Sequence, residues 1–357
     1  MNDDSTLQCR TDPGFSAWLA AAGGSLAVTT YQAHKLLLIG WNGRQLSFLP
    51  RHFERPMGLD LRDGRLLLAC QDRVTLFADD PVLGHHYDDA QPGRYDALYL
   101  PRLSWHAAGL DVHDVALTDD ASWIVATRFS CLATLSDRYS FVPRWRPRFV
   151  GDDAPEDRCH LNGMAMRDGR PAFVTCLAET DTRQGWRAQR RNGGALLEVD
   201  SGDAVLRGLS MPHSPRWHEG ALWLLESGAG RLLRVDTQRG TADEVCALPG
   251  YLRGLDLVGP YALVGLCKAR ESEYFGDLAV QARHRELRCG VAVIDTRSGA
   301  QVGFFELSAG ASEIYDLRFI AGRQRVNVLN TQSQERRVAF SAPPDLHWWT
   351  VAETDHV

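Results

Sequence analysis

Three histidines, His113, His160 and His213, recur 47 and 53 residues apart in stretches of similar pattern. Imidazoles delivered in register by successive repeats can converge on one divalent ion (Zn, Ca or Mn) and leave positions open for water or substrate. Such an ion would polarise a carbonyl or activate water, with Glu313 or Asp316 as base or further ligand. The alternative is that each histidine simply hydrogen-bonds a neighbouring carbonyl or carboxylate, Asp114 being suited to His113. Equivalent positions in other repeats add more polar groups. Glu313, Asp316 and Arg253 are the catalytic candidates, with Arg253 or Arg55 able to orient an anionic group. Arg55, Asn162, Ser214, Arg128 and Glu226 are the substrate-binding candidates. Cys159, beside His160, is either a nucleophile or an inert buried thiol.

These residues can meet only if the chain brings distant segments together, and its repeat provides the means. A strand–turn–strand unit begins at residues 26, 66, 123, 172, 222, 262 and 326, a mean spacing of 50. Periods of that size, built from short strands and Gly/Asp/Asn turns, mark the blades of a β-propeller. Six of the seven units follow another short strand: MGLDLRDG (57–64), HDVALTDD (113–120), NGMAMRDG (162–169), HSPRWHEG (213–220), RGLDLVG (253–259) and IYDLRFIAG (314–322). These six are expected to be the innermost strands, with Gly58, Gly163 and Gly254 where space is shortest. The first unit lacks such a partner, and HWWTV (347–351) is the candidate to complete it and clasp the ends. Strand pairs count seven blades and inner strands six; seven is favoured. The expected fold is therefore all-β: one propeller of four-stranded antiparallel sheets over 25–352. A tail with a short helix (PGFSAWLAAA, 13–22) precedes it within 1–24, and 353–357 form a C-terminal tail.

In such a blade the start of the innermost strand and the turn between the second and third strands lie on one face. All the candidates above then ring one mouth of the central channel. The two longest insertions, 177–193 and 268–289, rise on that same face. FVPRWRPRF (141–149) and RQGWRAQRR (183–191) interleave Arg and Trp, as solvated loops or as grips for an anionic or sugar-like ligand.

Composition narrows the partners. A net charge of −6 gives no global attraction to nucleic acid, and no apolar run is long enough to span a bilayer. Eight scattered cysteines without a CxxC pair fit a reducing compartment, so a cytoplasmic protein is expected. Neither a Walker lysine nor a GxSxG elbow is present.

The runs SLAVTTYQAHKLLLIG, RFSCLATLSDRYSFVPRWRPRFV, EDRCHLNGMAM, GLSMPHSPRW, GYLRGLDL and EIYDLRF resemble an uncharacterised bacterial family, domain of unknown function 4915. The likeness extends over nearly the whole chain and implies a propeller-like fold without implying an activity. The layout also resembles gluconolactonase-like, strictosidine-synthase-like and peptidyl-hydroxyglycine-lyase propellers; in the last, histidines of inner blades hold a metal. Such likeness concerns architecture alone. Two functions are therefore expected in competition. One is a metal-dependent hydrolase or lyase acting on a small polar or anionic substrate in the mouth. The other is a non-catalytic propeller that binds a ligand, glycan or protein over the same face.

Overall fold

A computed structural model describes residues 6–88, 90–268, 277–330 and 332–350. Its strands form six blades around a central axis. Blade 2 runs outward through Leu59–Arg62, Arg65–Ala69, Arg73–Asp79 and Ala97–His106, and blade 3 through Val112–Leu117, Ser122–Ala126, Cys131–Thr134 and Val142–Trp145. Blade 4 comprises Leu161–Arg167, Arg170–Cys176, Gly194–Glu198 and Ala204–Leu209. Blade 5 comprises Pro212–His218, Ala221–Glu226, Arg231–Asp236 and Thr241–Ala247, and blade 6 Tyr251–Val258, Tyr261–Cys267, Gly290–Asp295 and Gln301–Ala309. Buried aliphatic residues of the second and third strands fill the space between neighbouring blades.

Blade 1 explains why the count is six and not seven. Its outer strands, Gly24–Thr30, Lys35–Trp41 and Leu46–His52, come from the start of the chain, but its innermost strand is Leu317–Ala321 from the far end. Leu26 pairs with Phe319 and Val28 with Leu317. The strand expected to open a seventh blade is thus the missing inner strand of the first, and it closes the ring. The 326–340 unit that followed it is no blade. Val326–Val328 adds a parallel edge beside Ala97–Tyr99 of blade 2, and Ala339–Ala342 pairs with Leu346–Trp349 in a small hairpin. HWWTV does not complete blade 1 either. His347 Nδ1 meets Asp80 at 3.0 Å and Trp349 Nε1 donates to the Leu83 carbonyl, both in the loop of blade 2; Val351 lies outside the described residues.

The predicted helix forms over Pro13–Ala22 because Asp12 caps it, accepting from Phe15 N at 2.7 Å, and Gly23 ends it in the left-handed region. It buries Phe15 and Leu19 completely, Phe15 against Phe305 of blade 6. A short strand before it, Gln8–Thr11, pairs along the outer edge of that blade.

A ring of polar clasps fixes the blades to one another near the axis. Asp316 of blade 1 accepts from Leu59 N of blade 2, Asp60 from Leu117 N of blade 3, and Asp114 from Met164 N of blade 4. Asn162 of blade 4 donates to the Pro212 carbonyl of blade 5, whose Ser214 Oγ accepts from Gly254 N of blade 6. Asp256 of blade 6 closes the circle on Phe319 N of blade 1. Blades approach so closely there that a Cβ on Gly58 would stand 2.8 Å from the Asp114 Cα, and one on Gly254 2.9 Å from the Asp316 Cα. Gly58 and Gly254 are thus set by contact between backbones, whereas a Cβ on Gly163 would meet the Pro215 ring first, at 2.6 Å.

Candidate functional site

The inner strands of blades 1, 3, 4, 5 and 6 start on one face and deliver His113, Asp114, Asn162, His213, Ser214, Arg253, Tyr315 and Asp316 to one small cavity. Its floor is Arg216, which donates to Asp114 (3.0 Å), to the Met164 and Leu255 carbonyls and, more loosely, to Asp316 (3.4 Å). Arg318 binds Asp316 from the same layer. The cavity holds about 10 Å³, room for a single water. A neighbouring cavity of about 20 Å³ shares His213 and Arg253 and adds Glu313, Lys268, Tyr251 and Ser227.

The histidines have separate supports. His113 Nδ1 donates to the Asp111 carbonyl at 2.9 Å, not to Asp114; Asp114 instead serves the backbone and Arg216. His160 Nδ1 faces the Asp157 carboxylate at 3.0 Å, and the two imidazoles meet edge to face with centroids 4.7 Å apart. Trp186, carried in by the 177–193 insertion, lies 4.4 Å from the His160 ring and donates Nε1 to Asp157. Asp111, Asp157, His160 and Ser214 all adopt positive φ near +50°, local strain that neighbouring contacts must hold in place. Burial, the other imidazoles and the Arg253 guanidinium push His113 and His213 well below the ordinary histidine range, so both are neutral at pH 7.

Tyr315 and Arg253 complete the wall. The guanidinium lies over the phenol ring, 4.7 Å from its centroid. Tyr315 is 8% exposed, yet its hydroxyl has no hydrogen-bond partner among the described residues. A buried donor left in that state costs about 1–3 kcal/mol. Burial drives its pKa up, so the group stays a phenol that can donate.

The other expected site residues are placed as follows. Asp316 reaches the cavity wall, but Leu59 N, Leu317 N and two arginines occupy its oxygens. Asn162 and Ser214 also line the cavity while serving as blade clasps. Arg55 stands one layer out, over Tyr31, which packs on Tyr315. Arg128 is exposed on a short turn, and Glu226 lies in a separate groove, paired with Arg231 and accepting from Ser210 N. Cys159 is fully buried and its thiol is pushed up to about 12 by burial, the state of an inert thiol. Of the Arg–Trp stretches, RQGWRAQRR supplies Trp186 to the site, whereas Val142–Trp145 is the outer strand of blade 3. Among the described residues no three His, Cys, Asp or Glu side chains stand together in a way that could hold a metal ion.

With this geometry in view, comparison with known proteins adds a family. The family model described as a domain of unknown function (DUF4915) matches residues 13–329. The chain belongs to this family. The DUF4915 chain has no match among curated proteins. Among solved structures it is similar to a chain of a nidogen/laminin complex, with a TM-score of 0.55 at 10% identity over 84% of this chain and 99% of that one. A protein of unknown function from Bacteroides caccae is similar at a TM-score of 0.50, 11% identity and the same coverage. At such identities the likeness concerns the fold alone. No helix among the described residues is long and apolar enough to cross a membrane.

Proposed function

We propose that the DUF4915 propeller binds a small molecule through one anionic group set into the histidine-lined mouth. The partnerless Tyr315 hydroxyl carries this reading: a buried donor beside a guanidinium and two neutral imidazoles suits an acceptor oxygen bearing charge. A carboxylate oxygen would accept hydrogen bonds from the Tyr315 hydroxyl and from Arg253, with His213 free to give or take a proton. The cavity admits only the charged tip, so the body of the ligand lies over the rim, beside Trp186, Tyr31 and Arg55. Malonate titrated calorimetrically is a suitable probe. Arg253→Met is expected to weaken it at least tenfold, the effect of losing about 1.4 kcal/mol, and Tyr315→Phe to weaken it severalfold. Malonate binding unchanged in both variants would remove the proposal.

A second reading, the metal-dependent hydrolase or lyase, draws on the supports of two histidines. A backbone carbonyl on His113 and a carboxylate on His160 fix Nδ1 as donor, the arrangement that orients imidazole ligands through Nε2. The fit is incomplete, because His213 does not close a three-ligand set with them. Elemental analysis after equilibration with Zn²⁺, Mn²⁺ or Ca²⁺ decides. Anion binding alone predicts less than stoichiometric metal, and one ion per chain, lost in His160→Ala, would favour the hydrolase or lyase.

A further inference from the structure

The opposite end of the channel opens into a larger cavity of about 460 Å³, to which all six inner strands contribute. That volume lies in the range of small-molecule sites, and Arg216 lines both it and the histidine mouth. Met164, Met166, Trp217, Leu257, Val258 and Phe319 supply the apolar part of its walls. Trp217 is held by stacking on Phe173, with Arg167 over both rings.

Charge decides the kind of occupant. Four carboxylates, Asp60, Asp114, Asp256 and Asp316, surround only two guanidiniums, Arg216 and Arg318. Asp60 and Asp256 line the cavity together with Arg216 and Arg318, and each carboxylate spends its hydrogen bonds on backbone N–H groups. Asp60 has only a loose ionic partner, Arg318 Nε at 3.6 Å. At the rim, Arg62 is taken by Asp119 and Asp63, and Arg167 by the aromatic rings. The cavity is therefore a cup of mixed polarity whose base belongs to a network of four carboxylates and two guanidiniums, where low dielectric strengthens attraction. Burial raises the pKa of both Asp60 and Asp316, and the neighbouring Arg318 and Arg216 guanidiniums oppose that rise.

We infer that this second mouth binds a small organic cation, an amine whose apolar body packs on Trp217, Phe319 and the methionines while its ammonium faces Asp60 and Asp256. The site is separate from the histidine mouth and stands or falls without it. Benzylamine, benzyl alcohol and benzoate form a matched probe set of one ring and three charges. Calorimetric titration into the full chain is expected to show saturable binding of benzylamine, weaker binding of the alcohol and none of benzoate. Asp60→Asn retains an acceptor for Leu117 N and removes the charge; it is expected to weaken benzylamine about tenfold or more. Val258→Arg, at the outer end of an inner strand, narrows the cup and adds a cation without touching a clasp, and should abolish binding while sparing malonate at the other mouth. Absence of saturable benzylamine binding, equal binding of benzoate, or binding unaffected by Val258→Arg would each overturn the inference.

Discussion

Arg216→Met is expected to lower the free energy of unfolding by about 3–5 kcal/mol, the usual cost of removing one partner from a buried ion pair. Arg216 donates to Asp114, Asp316 and two carbonyls drawn from blades 4 and 6. Its side chain is 14% exposed and those of both carboxylates 5%. Methionine fills much of the volume but leaves Asp114 with the more distant Arg318 Nη2, at 3.9 Å. Lysine keeps the charge and loses the fork, so Arg216→Lys should fall between the two. Urea unfolding followed by tryptophan fluorescence measures the series, and a loss below about 1 kcal/mol for Arg216→Met would show that the axial network contributes little. Since the same side chain lines the two mouths, both ligand sites should weaken along the series in the order of its stabilities.

The architecture was legible because a blade is a local object. Each hairpin announces itself through aliphatic runs and Gly/Asp turns, and all six inner strands overlap the segments read from the sequence. The closure was not legible, because it joins Leu26 to Phe319 across nearly the whole chain, and local pattern says nothing about which neighbour a strand will choose. Val326–Val328 has the composition of a strand and misled the count; its pairing partner is an edge, not a hairpin. The site shows a similar division. Placing inner-strand starts on one face brought His113, His213, Arg253 and Asp316 to one cavity. Topology assigns a side chain to a face but not to a partner, so Glu226 went to Arg231 and Asp316 to the clasps. The recurring aspartates of LDLR, HDVA, LDLV and YDLR carried a signal for the clasps, since one carboxylate per inner strand suits a repeated backbone contact. Tyr315 and Trp186 had no such signal: one is a lone aromatic beside a recurrent motif, the other sits in an insertion that no repeat constrains.

Acid should destabilise the propeller through the same imidazoles that shape its mouth, and the sign follows from their environment. His113 and His213 have folded-state pKa values well below the unfolded value near 6.5, because burial and nearby cations disfavour the charged form. Between those values the unfolded chain binds more protons, so the stability they contribute is complete above pH 6.5 and is lost as pH falls. Each imidazole that stays neutral when folded contributes a slope of up to about 1.4 kcal/mol per pH unit. Asp60 and Asp316, raised by burial, act in the opposite sense in the carboxylate range, where the folded form binds the extra proton. A comparison of variants separates the two. His213→Gln preserves bulk and polarity without a titrating ring, so it should be the less stable protein at pH 7.5 and gain on the parent by about 1 kcal/mol per unit between pH 6.5 and 5. Asp316 remains in both proteins and cancels from the difference. Unfolding curves at these pH values provide the measurement; parallel loss in parent and variant would mean that His213 takes up its proton at the same pH folded as unfolded, with no shift from burial. In that event His213 would become a second cation beside Arg253 as pH falls through that range, and anion binding at the mouth would strengthen with acid.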